Sequence, residues 1–167
     1  SGEPAGIGPQ ISIQAAQQFL QNYKDVQIHL LGDKALFKPY LNGFQNQTNF
    51  HIEHVDLNVS NSIGNLNPKN ASYVLELLDK AYMGCHQKIF DAIVTAPIQK
   101  SIINESGITF TGHTEYFAEK ANVSKVVMML CGEVSPPLLK KPLMMRVALV
   151  STHLALKDVA SSINSEV

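Results

Sequence analysis

Two histidines follow apolar segments, at points where enzymes commonly display reactive side chains. His113 lies in the sequence Thr-Gly-His-Thr-Glu at 111–115, and His153 lies in Ser-Thr-His-Leu-Ala-Leu at 151–156. Open α/β sheets present reactive groups at the carboxyl ends of their strands, which is where both turns are predicted to fall. The chain has only six histidines, and the other four have less suggestive neighbours. His113 and His153 are therefore the first candidates for chemistry.

The neighbours of His113 support two interpretations. Thr111, Thr114 and Glu115 offer hydroxyl and carboxylate partners that could fix the tautomer of the imidazole in a binding site. The same residues also fit the start of a helix, with Thr111 or Thr114 as the cap and Glu115 placed favourably for the helix dipole. The residues alone leave both interpretations open.

His153 has the chemistry of a metal ligand, because a neutral ring nitrogen binds divalent metals. One imidazole cannot hold a metal, since catalytic sites use about three protein ligands. No second histidine, cysteine or carboxylate stands at chelating spacing beside it. A ligand role therefore requires residues from elsewhere in a longer protein or from a second subunit. The alternative is a histidine that is hydrogen-bonded in a loop.

Two further segments have the composition of ligand-binding loops. The run at 1–9 places Gly2, Gly6 and Gly8 before a predicted helix, which indicates either a tight strand-to-helix turn or backbone N–H groups bared to an anion. Its spacing matches neither of the common nucleotide-binding glycine motifs. Lys100 follows a predicted strand and is either a flexible charge above the sheet or a solvated helix residue.

The remaining histidines do not form a ligand set in sequence. On a strand, His51 and Glu53 share one face and His54 points to the other, so these three residues cannot surround one ion. Cys85 and His86 stand near the predicted end of a helix, where packing and capping explain them.

Composition favours an ordinary enzyme domain. The chain is 45% hydrophobic and 16% charged with a formal net charge of -1, which excludes nucleic acid as an expected partner. Arg146 is the only arginine, so any phosphate would be held by lysine, backbone N–H groups or hydroxyls. Cys85 and Cys131 have no paired spacing, which predicts reduced thiols in a cytoplasmic protein. We expect no membrane span, because no apolar run approaches the roughly 20 residues that a span requires. We also expect no signal peptide, since none is visible in the sequence.

Helices and strands are predicted to alternate along the chain. Strands that are apolar throughout are usually covered on both faces, which favours a largely parallel sheet between helices. A polar surface loop is predicted at 56–69, and an inserted excursion at 132–145. The predicted helices are 9–20, 34–41, 68–87, 98–104, one that follows the His113 turn and ends at 121, and 157–163. The predicted strands are 26–31, 49–55, 92–95, 126–131 and 147–150.

The two ends predict that residues 1–167 are the N-terminal part of a longer enzyme. The chain opens without methionine inside a glycine run of the kind that follows a strand, and it closes just after a predicted helix start. We therefore expect an incomplete site and no catalysis by the segment alone.

Five motifs together resemble one enzyme family. They are Gly-Glu-Pro-Ala-Gly-Ile-Gly-Pro at 2–9, Thr-Ala-Pro-Ile-Gln-Lys at 95–100, Phe-Thr-Gly-His-Thr-Glu at 110–115, Val-Met-Met-Leu at 127–130 and Arg-Val-Ala-Leu-Val-Ser-Thr-His-Leu at 146–154. Their order and spacing resemble the 4-hydroxythreonine-4-phosphate dehydrogenase family of pyridoxal phosphate biosynthesis. The resemblance implies an isocitrate/isopropylmalate dehydrogenase-like α/β/α sandwich with a largely parallel sheet, of which only the N-terminal half is present. The excursion at 132–145 is longer than the family pattern.

The same resemblance implies an activity and roles for three residues. The family oxidises the secondary alcohol of 4-hydroxythreonine 4-phosphate with NAD or NADP and a divalent metal (Zn, Mg or Co), and decarboxylation to 3-amino-2-oxopropyl phosphate follows. By matching motifs, His113 and Thr114 would bind substrate, and His153 would be one of three histidine ligands of the metal. The metal site is expected to be shared between the subunits of a homodimer.

Two alternatives share part of this pattern. A sister dehydrogenase acting on threonate or erythronate 4-phosphate would have the same motifs. An acyltransferase or ligand-binding relative on the same fold would lack two further metal histidines downstream. The sequence leaves open the choice between NAD and NADP, the metal, the substrate amino group, and the catalytic and cofactor-binding residues.

Overall fold

A computed structural model describes residues 1–135, 141–151 and 154–163 of the chain. The described residues belong to two compact units, Ser1–Phe117 and Ala118–Val167.

Helices and strands alternate in the first unit up to residue 86, as predicted, and the helices that follow have no strand between them. Two short 3-10 turns, Phe44–Asn46 and Pro68–Asn70, precede β2 and α3. In chain order the elements are α1 (Gly8–Asn22), β1 (Ile28–Gly32), α2 (Lys34–Leu41), β2 (Phe50–His54), α3 (Ala71–His86), α4 (Lys100–Glu105) and α5 (His113–Lys120).

β1 and β2 form a parallel pair, which confirms the predicted parallel arrangement. Their register runs from Ile28 opposite Phe50 to Gly32 opposite His54. Consecutive side chains of β1 enter two different apolar clusters. Leu30 packs with residues of α1 and α2, and Leu31 packs against residues of α3. The strand therefore lies between helices, as a parallel strand in an α/β protein requires.

Local sequence signals explain where these helices begin. Pro9 lies in the first turn of α1, where its missing N–H costs nothing. Asp33 caps α2 by accepting a hydrogen bond from the Ala35 amide at 2.8 Å, and its other carboxylate oxygen accepts one from the Leu57 amide at 2.8 Å. Asn67 accepts from the amide of Lys69 at 3.0 Å and so starts the turn that leads into α3.

The prediction of a buried strand at 92–95 is wrong. Residues 92–97 have no strand pairing in the structure, and the Val94 side chain is 97% exposed. An apolar run forms a strand only when a neighbouring strand accepts its backbone hydrogen bonds. No strand of the described residues pairs with this segment.

The second unit contains an antiparallel hairpin and a helix. β3 (Met129–Val134) pairs with β4 (Leu143–Ala148), from Met129 opposite Ala148 to Val134 opposite Leu143, and α6 (Leu156–Ser162) follows. Almost every residue of both strands is exposed. The prediction that 126–131 and 147–150 are strands covered on both faces is therefore wrong.

The short connection explains the antiparallel pairing. Parallel neighbours need a crossover of about a dozen residues or more, whereas a hairpin needs only a short turn. The segment 135–142 is too short for a crossover, so the predicted excursion at 132–145 consists of the two strand ends and their link. Residues 136–140 lie outside the described residues.

No helix in the described parts of the chain is long and apolar enough to cross a bilayer.

Candidate functional site

The glycine-rich run at 1–9 is a tight turn that packs against the segment before α4. Gly2 has a left-handed φ of 71°, and a Cβ there would overlap the carbonyl oxygen of Pro97. A Cβ on Gly8 would overlap the carbonyl oxygen of Ser1. The amide of Glu3 donates to the carbonyl of Pro97 at 3.0 Å. The structure therefore favours the tight-turn interpretation of these glycines.

The carboxylate of Glu3 is enclosed by this turn. The residue is 4% exposed, and its Oε1 accepts hydrogen bonds from the Ala5 amide at 3.1 Å and from Asn70 Nδ2 at 2.9 Å. The Gly6 amide donates to the Glu3 carbonyl at 3.1 Å. Because the amides of Glu3, Ala5 and Gly6 already have acceptors within the protein, this turn does not present them to a bound anion.

Two asparagines support the turn from outside. Asn61 Nδ2 donates to the Pro4 carbonyl at 2.9 Å, and the Gly64 amide donates to the Ala5 carbonyl at 2.8 Å. Asn70 is fully buried at the start of α3. The side-chain oxygens of Asn61 and Asn70 are buried without a hydrogen-bond partner in the described structure. The turn, the polar loop and α3 are thus one connected polar cluster.

His113 is the first residue of α5 and lies between two aromatic rings. Its ring centroid is 6.3 Å from that of Phe110, which meets it edge-on, and 6.5 Å from that of Phe117, which is stacked. Its Nε2 is buried and has no hydrogen-bond partner in the described part of the chain. Burial removes water that would solvate the cation, and this lowers the pKa of His113 below its ordinary value. The ring is therefore held neutral near pH 7.

Packing and hydrogen bonds fix the approach to His113. Phe110 is 3% exposed and belongs to the apolar cluster around α3. Asn104 brackets its backbone, accepting from the Phe110 amide at 2.8 Å and donating to the Phe110 carbonyl at 3.2 Å. Inside α5, the Tyr116 hydroxyl donates to Asp79 of α3 at 2.7 Å. The start of α5 is therefore held on both sides of His113.

Thr114 is the second residue of α5. It therefore does not cap this helix, which was one of the two interpretations that the sequence allowed. The first intrahelical bond runs from the Tyr116 amide to the Gly112 carbonyl at 3.1 Å. The backbone N–H groups before Tyr116 have no acceptor within the helix, as is the case at every helix N-terminus. The Thr114 side chain is exposed. The structure thus places an imidazole, an exposed hydroxyl and a helix N-terminus together.

One cluster of ionisable side chains depends on strand register and was missed in sequence. His29 of β1 lies opposite His51 of β2, with ring centroids 4.7 Å apart, and its Nδ1 is 2.8 Å from Glu53 Oε1. His51 and Glu53 were expected on one face, but nothing in the local sequence pointed to His29. His54 turns away, and its Nε2 is 2.8 Å from Asp56 Oδ1.

The other candidate residues are not brought into a common site. Lys100 is the first residue of α4 and is exposed, and Cys85 is half-buried. His153 lies outside the described residues, so the structure does not place the predicted metal ligand. Within residues 1–135, 141–151 and 154–163, no three His, Cys, Asp or Glu side chains could hold one metal ion.

Comparison with known proteins identifies one family. The family described as pyridoxal phosphate biosynthetic protein PdxA matches residues 8–167. A 4-hydroxythreonine-4-phosphate dehydrogenase of Burkholderia vietnamiensis is 42% identical over 173 residues, covering 98% of this chain and 49% of that protein. The dehydrogenase of the same name from Janthinobacterium is 42% identical over 184 residues, with 98% and 51% covered. The chain thus spans about half the length of these relatives.

Solved structures show the same fold. The crystal structure of a 4-hydroxythreonine-4-phosphate dehydrogenase from Burkholderia phymatum superposes with a TM-score of 0.73 at 22% identity, covering 99% of this chain and 52% of that one. The enzyme of the same name from Klebsiella pneumoniae gives a TM-score of 0.70 at 19% identity, with 99% and 52% covered. The predicted α/β fold class is therefore confirmed.

The buried ring of His113 predicts a pH dependence of stability. In the unfolded chain the imidazole takes up a proton near its ordinary pKa of 6.5, whereas the folded chain takes it up only at lower pH. The unfolded state then binds more protons, so the free energy of unfolding falls as the pH drops from 7 through 6.5. Urea unfolding between pH 7.5 and 5 should show a shallower fall for His113→Gln. Equal slopes in the parent and His113→Gln would contradict this assignment.

Proposed function

The chain belongs to the pyridoxal phosphate biosynthetic protein PdxA family, and on that premise we propose that it forms part of an NAD(P)-dependent dehydrogenase that acts on 4-hydroxythreonine 4-phosphate. Decarboxylation of the oxidised product would give 3-amino-2-oxopropyl phosphate. Because the relatives are about twice as long as this chain, we assign the activity to a protein that has the full length of those relatives. The sister dehydrogenase and the acyltransferase or ligand-binding relative are not favoured, since the similar proteins are named for the first reaction.

The buried, unpaired Nε2 of His113 is the observation that carries the proposal within this chain. A buried polar atom without a partner costs free energy, and such atoms are rare except where a ligand or function uses them. This one stands at the start of α5, in the motif that the sequence singled out for substrate. We infer that a polar group of the substrate supplies the missing hydrogen bond.

Thr114 and the start of α5 are proposed to bind an oxygen-rich part of the same substrate. The Thr114 hydroxyl is exposed, and backbone N–H groups in the first turn of a helix favour anions. With Arg146 as the only arginine, lysines, hydroxyls and backbone N–H groups are the hydrogen-bond donors that this segment can offer to a phosphate or carboxylate. A neutral His113 can accept or donate a hydrogen bond without adding a charge.

The cofactors are proposed from the family alone. A nicotinamide cofactor would accept the hydride, and a divalent metal (Zn, Mg or Co) would polarise the substrate oxygen. The described residues do not fit a complete metal site. We propose that His153 is one metal ligand. The other ligands would come from a longer protein, beyond the residues of this chain, and from the second subunit of a homodimer.

Substrate titration of the isotope-labelled chain tests the role of Thr114. We expect 4-hydroxythreonine 4-phosphate to shift the amide resonances of residues 113–116, with a dissociation constant of about 1 mM for this half-site. Thr114→Ala should weaken binding about fivefold, the value of one hydrogen bond of ~1 kcal/mol. It should change stability by less than about 0.5 kcal/mol, because the residue is not a cap. Thr48→Ala, an exposed threonine elsewhere, should change neither. An unchanged dissociation constant in Thr114→Ala would reject the assignment.

Zinc titration tests His153 directly. The imidazole nitrogen resonances of all six histidines can be followed as Zn²⁺ is added, with His153→Ala used to assign one of them. Because one histidine supplies only a fraction of the roughly three ligands a site needs, binding should be weak, but the His153 resonance should be among the first to shift. His153→Ala should keep the helix content of the parent. A His153 resonance that stays fixed while other histidines shift would show that it is no metal ligand.

A further inference from the structure

Residues 106–112 connect α4 to α5, and Phe110 is the buried residue among them. Gly107 leaves α4 with a left-handed φ of 88°, and its amide donates to the Asn104 carbonyl at 3.0 Å. A Cβ on Gly107 would meet no atom within 4 Å. The connection is therefore held at Phe110 rather than by packing along its length.

The side chain of Asn104 pairs with both backbone groups of Phe110. Its Oδ1 accepts from the Phe110 amide at 2.8 Å, and its Nδ2 donates to the Phe110 carbonyl at 3.2 Å. A side-chain amide carries a donor and an acceptor together, so it satisfies the two groups of one residue as a neighbouring strand would. These two bonds fix the backbone of Phe110 relative to α4.

Phe110 in turn forms part of the surroundings of the His113 ring. The Phe110 ring lies in the apolar cluster around α3 and meets His113 edge-on, with 86° between the two ring planes. His113 follows a short distance along the chain, as the first residue of α5. A shift of the Phe110 backbone would therefore move the imidazole and admit water to its Nε2, which is buried without a partner in the described residues.

We propose that Asn104 is a positioning residue for the substrate-binding role of His113. By holding Phe110, Asn104 keeps water away from Nε2 and leaves that atom at a fixed position for one polar atom of the substrate. A group that is fixed before binding loses less freedom when the substrate binds. This inference rests on the function proposed above. The alternative is that Asn104 closes the connection and contributes stability alone.

The variant Asn104→Ala tests this role in the isotope-labelled chain. Loss of both bonds should let water reach Nε2, so the pKa of His113 should rise toward its ordinary value of 6.5 in an NMR titration without substrate. The dissociation constant for 4-hydroxythreonine 4-phosphate should increase about three- to tenfold. Asn104→Gln keeps both groups on a side chain that is one methylene longer, so its effects should have the same direction and be smaller.

Two control variants separate positioning from stability. Asn22→Ala changes an exposed asparagine in the last turn of α1, and it should alter neither the pKa of His113 nor the dissociation constant. Ile13→Val shortens a buried side chain in the separate apolar cluster around α1 and α2. It should lower the melting temperature without altering either value.

The two measurements also separate this inference from the proposed function. If Asn104→Ala has the His113 pKa and the dissociation constant of the parent chain, the proposal is overturned, even where the melting temperature falls. The same result from Asn104→Gln overturns it if the alanine variant does not fold. A parent chain that does not bind the substrate would contradict the proposed function. The His113 titration, which uses no substrate, would still decide whether Asn104 positions the ring.

Discussion

The structure depends on a turn that has no room for side chains at two of its glycines. Gly2 lies against the carbonyl of Pro97, and Gly8 lies against the carbonyl of Ser1. This close approach lets the Glu3 amide reach Pro97 and places the Glu3 carboxylate against Asn70. Three parts of the chain that are distant in sequence are thereby joined, namely the start of α1, the segment before α4 and the start of α3.

The candidate site is built outward from that junction. α4 packs against the 3-10 turn Pro68–Asn70, and Asn104 of α4 brackets Phe110 through two backbone hydrogen bonds. Phe110 in turn enters the core and borders the ring of His113. The close packing at these glycines thus fixes the buried contact between Glu3 and Asn70. α4 and Phe110, which pack next to that contact, in turn position the neutral, partly buried ring of His113. Family membership gives this imidazole a chemical context, and its unpaired Nε2 gives a physical reason to expect a ligand.

Elements with local signals were predictable from sequence. The predicted helices at 9–20, 34–41 and 68–87 are confirmed, and in the structure Pro9, Asp33 and Asn67 lie at the starts of α1, α2 and the turn into α3. Elements that depend on distant partners were not. The apolar run at 92–95 has the composition of a buried strand. A strand forms only beside a partner strand, however, and the local sequence does not indicate whether one is present. The pairing of β3 with β4 follows from the length of their link rather than from their composition.

The candidate site likewise combines features that the local sequence indicates with features that depend on distant parts of the chain. The motif around His113 was evident in sequence, whereas the burial of its Nε2 depends on Phe110 and Phe117 being brought together by folding. The contact of Glu3 with Asn70 joins residues 67 positions apart, and the contact of His29 with Glu53 requires the register of two strands. Spacing in sequence cannot supply either contact.

The most direct measurement is the effect of alanine at two glycines of the turn on the free energy of unfolding. A Cβ at Gly8 meets the Ser1 carbonyl, whereas the nearest atom to a Cβ at Gly6 is the Glu3 carbonyl oxygen at 3.4 Å, an ordinary contact. Gly8→Ala should destabilise the chain by about 1–3 kcal/mol, although alanine favours helices. Gly6→Ala should be neutral or stabilising by up to about 1 kcal/mol. Equal effects of the two substitutions in urea unfolding would contradict the claim that the close approach within this turn organises the fold.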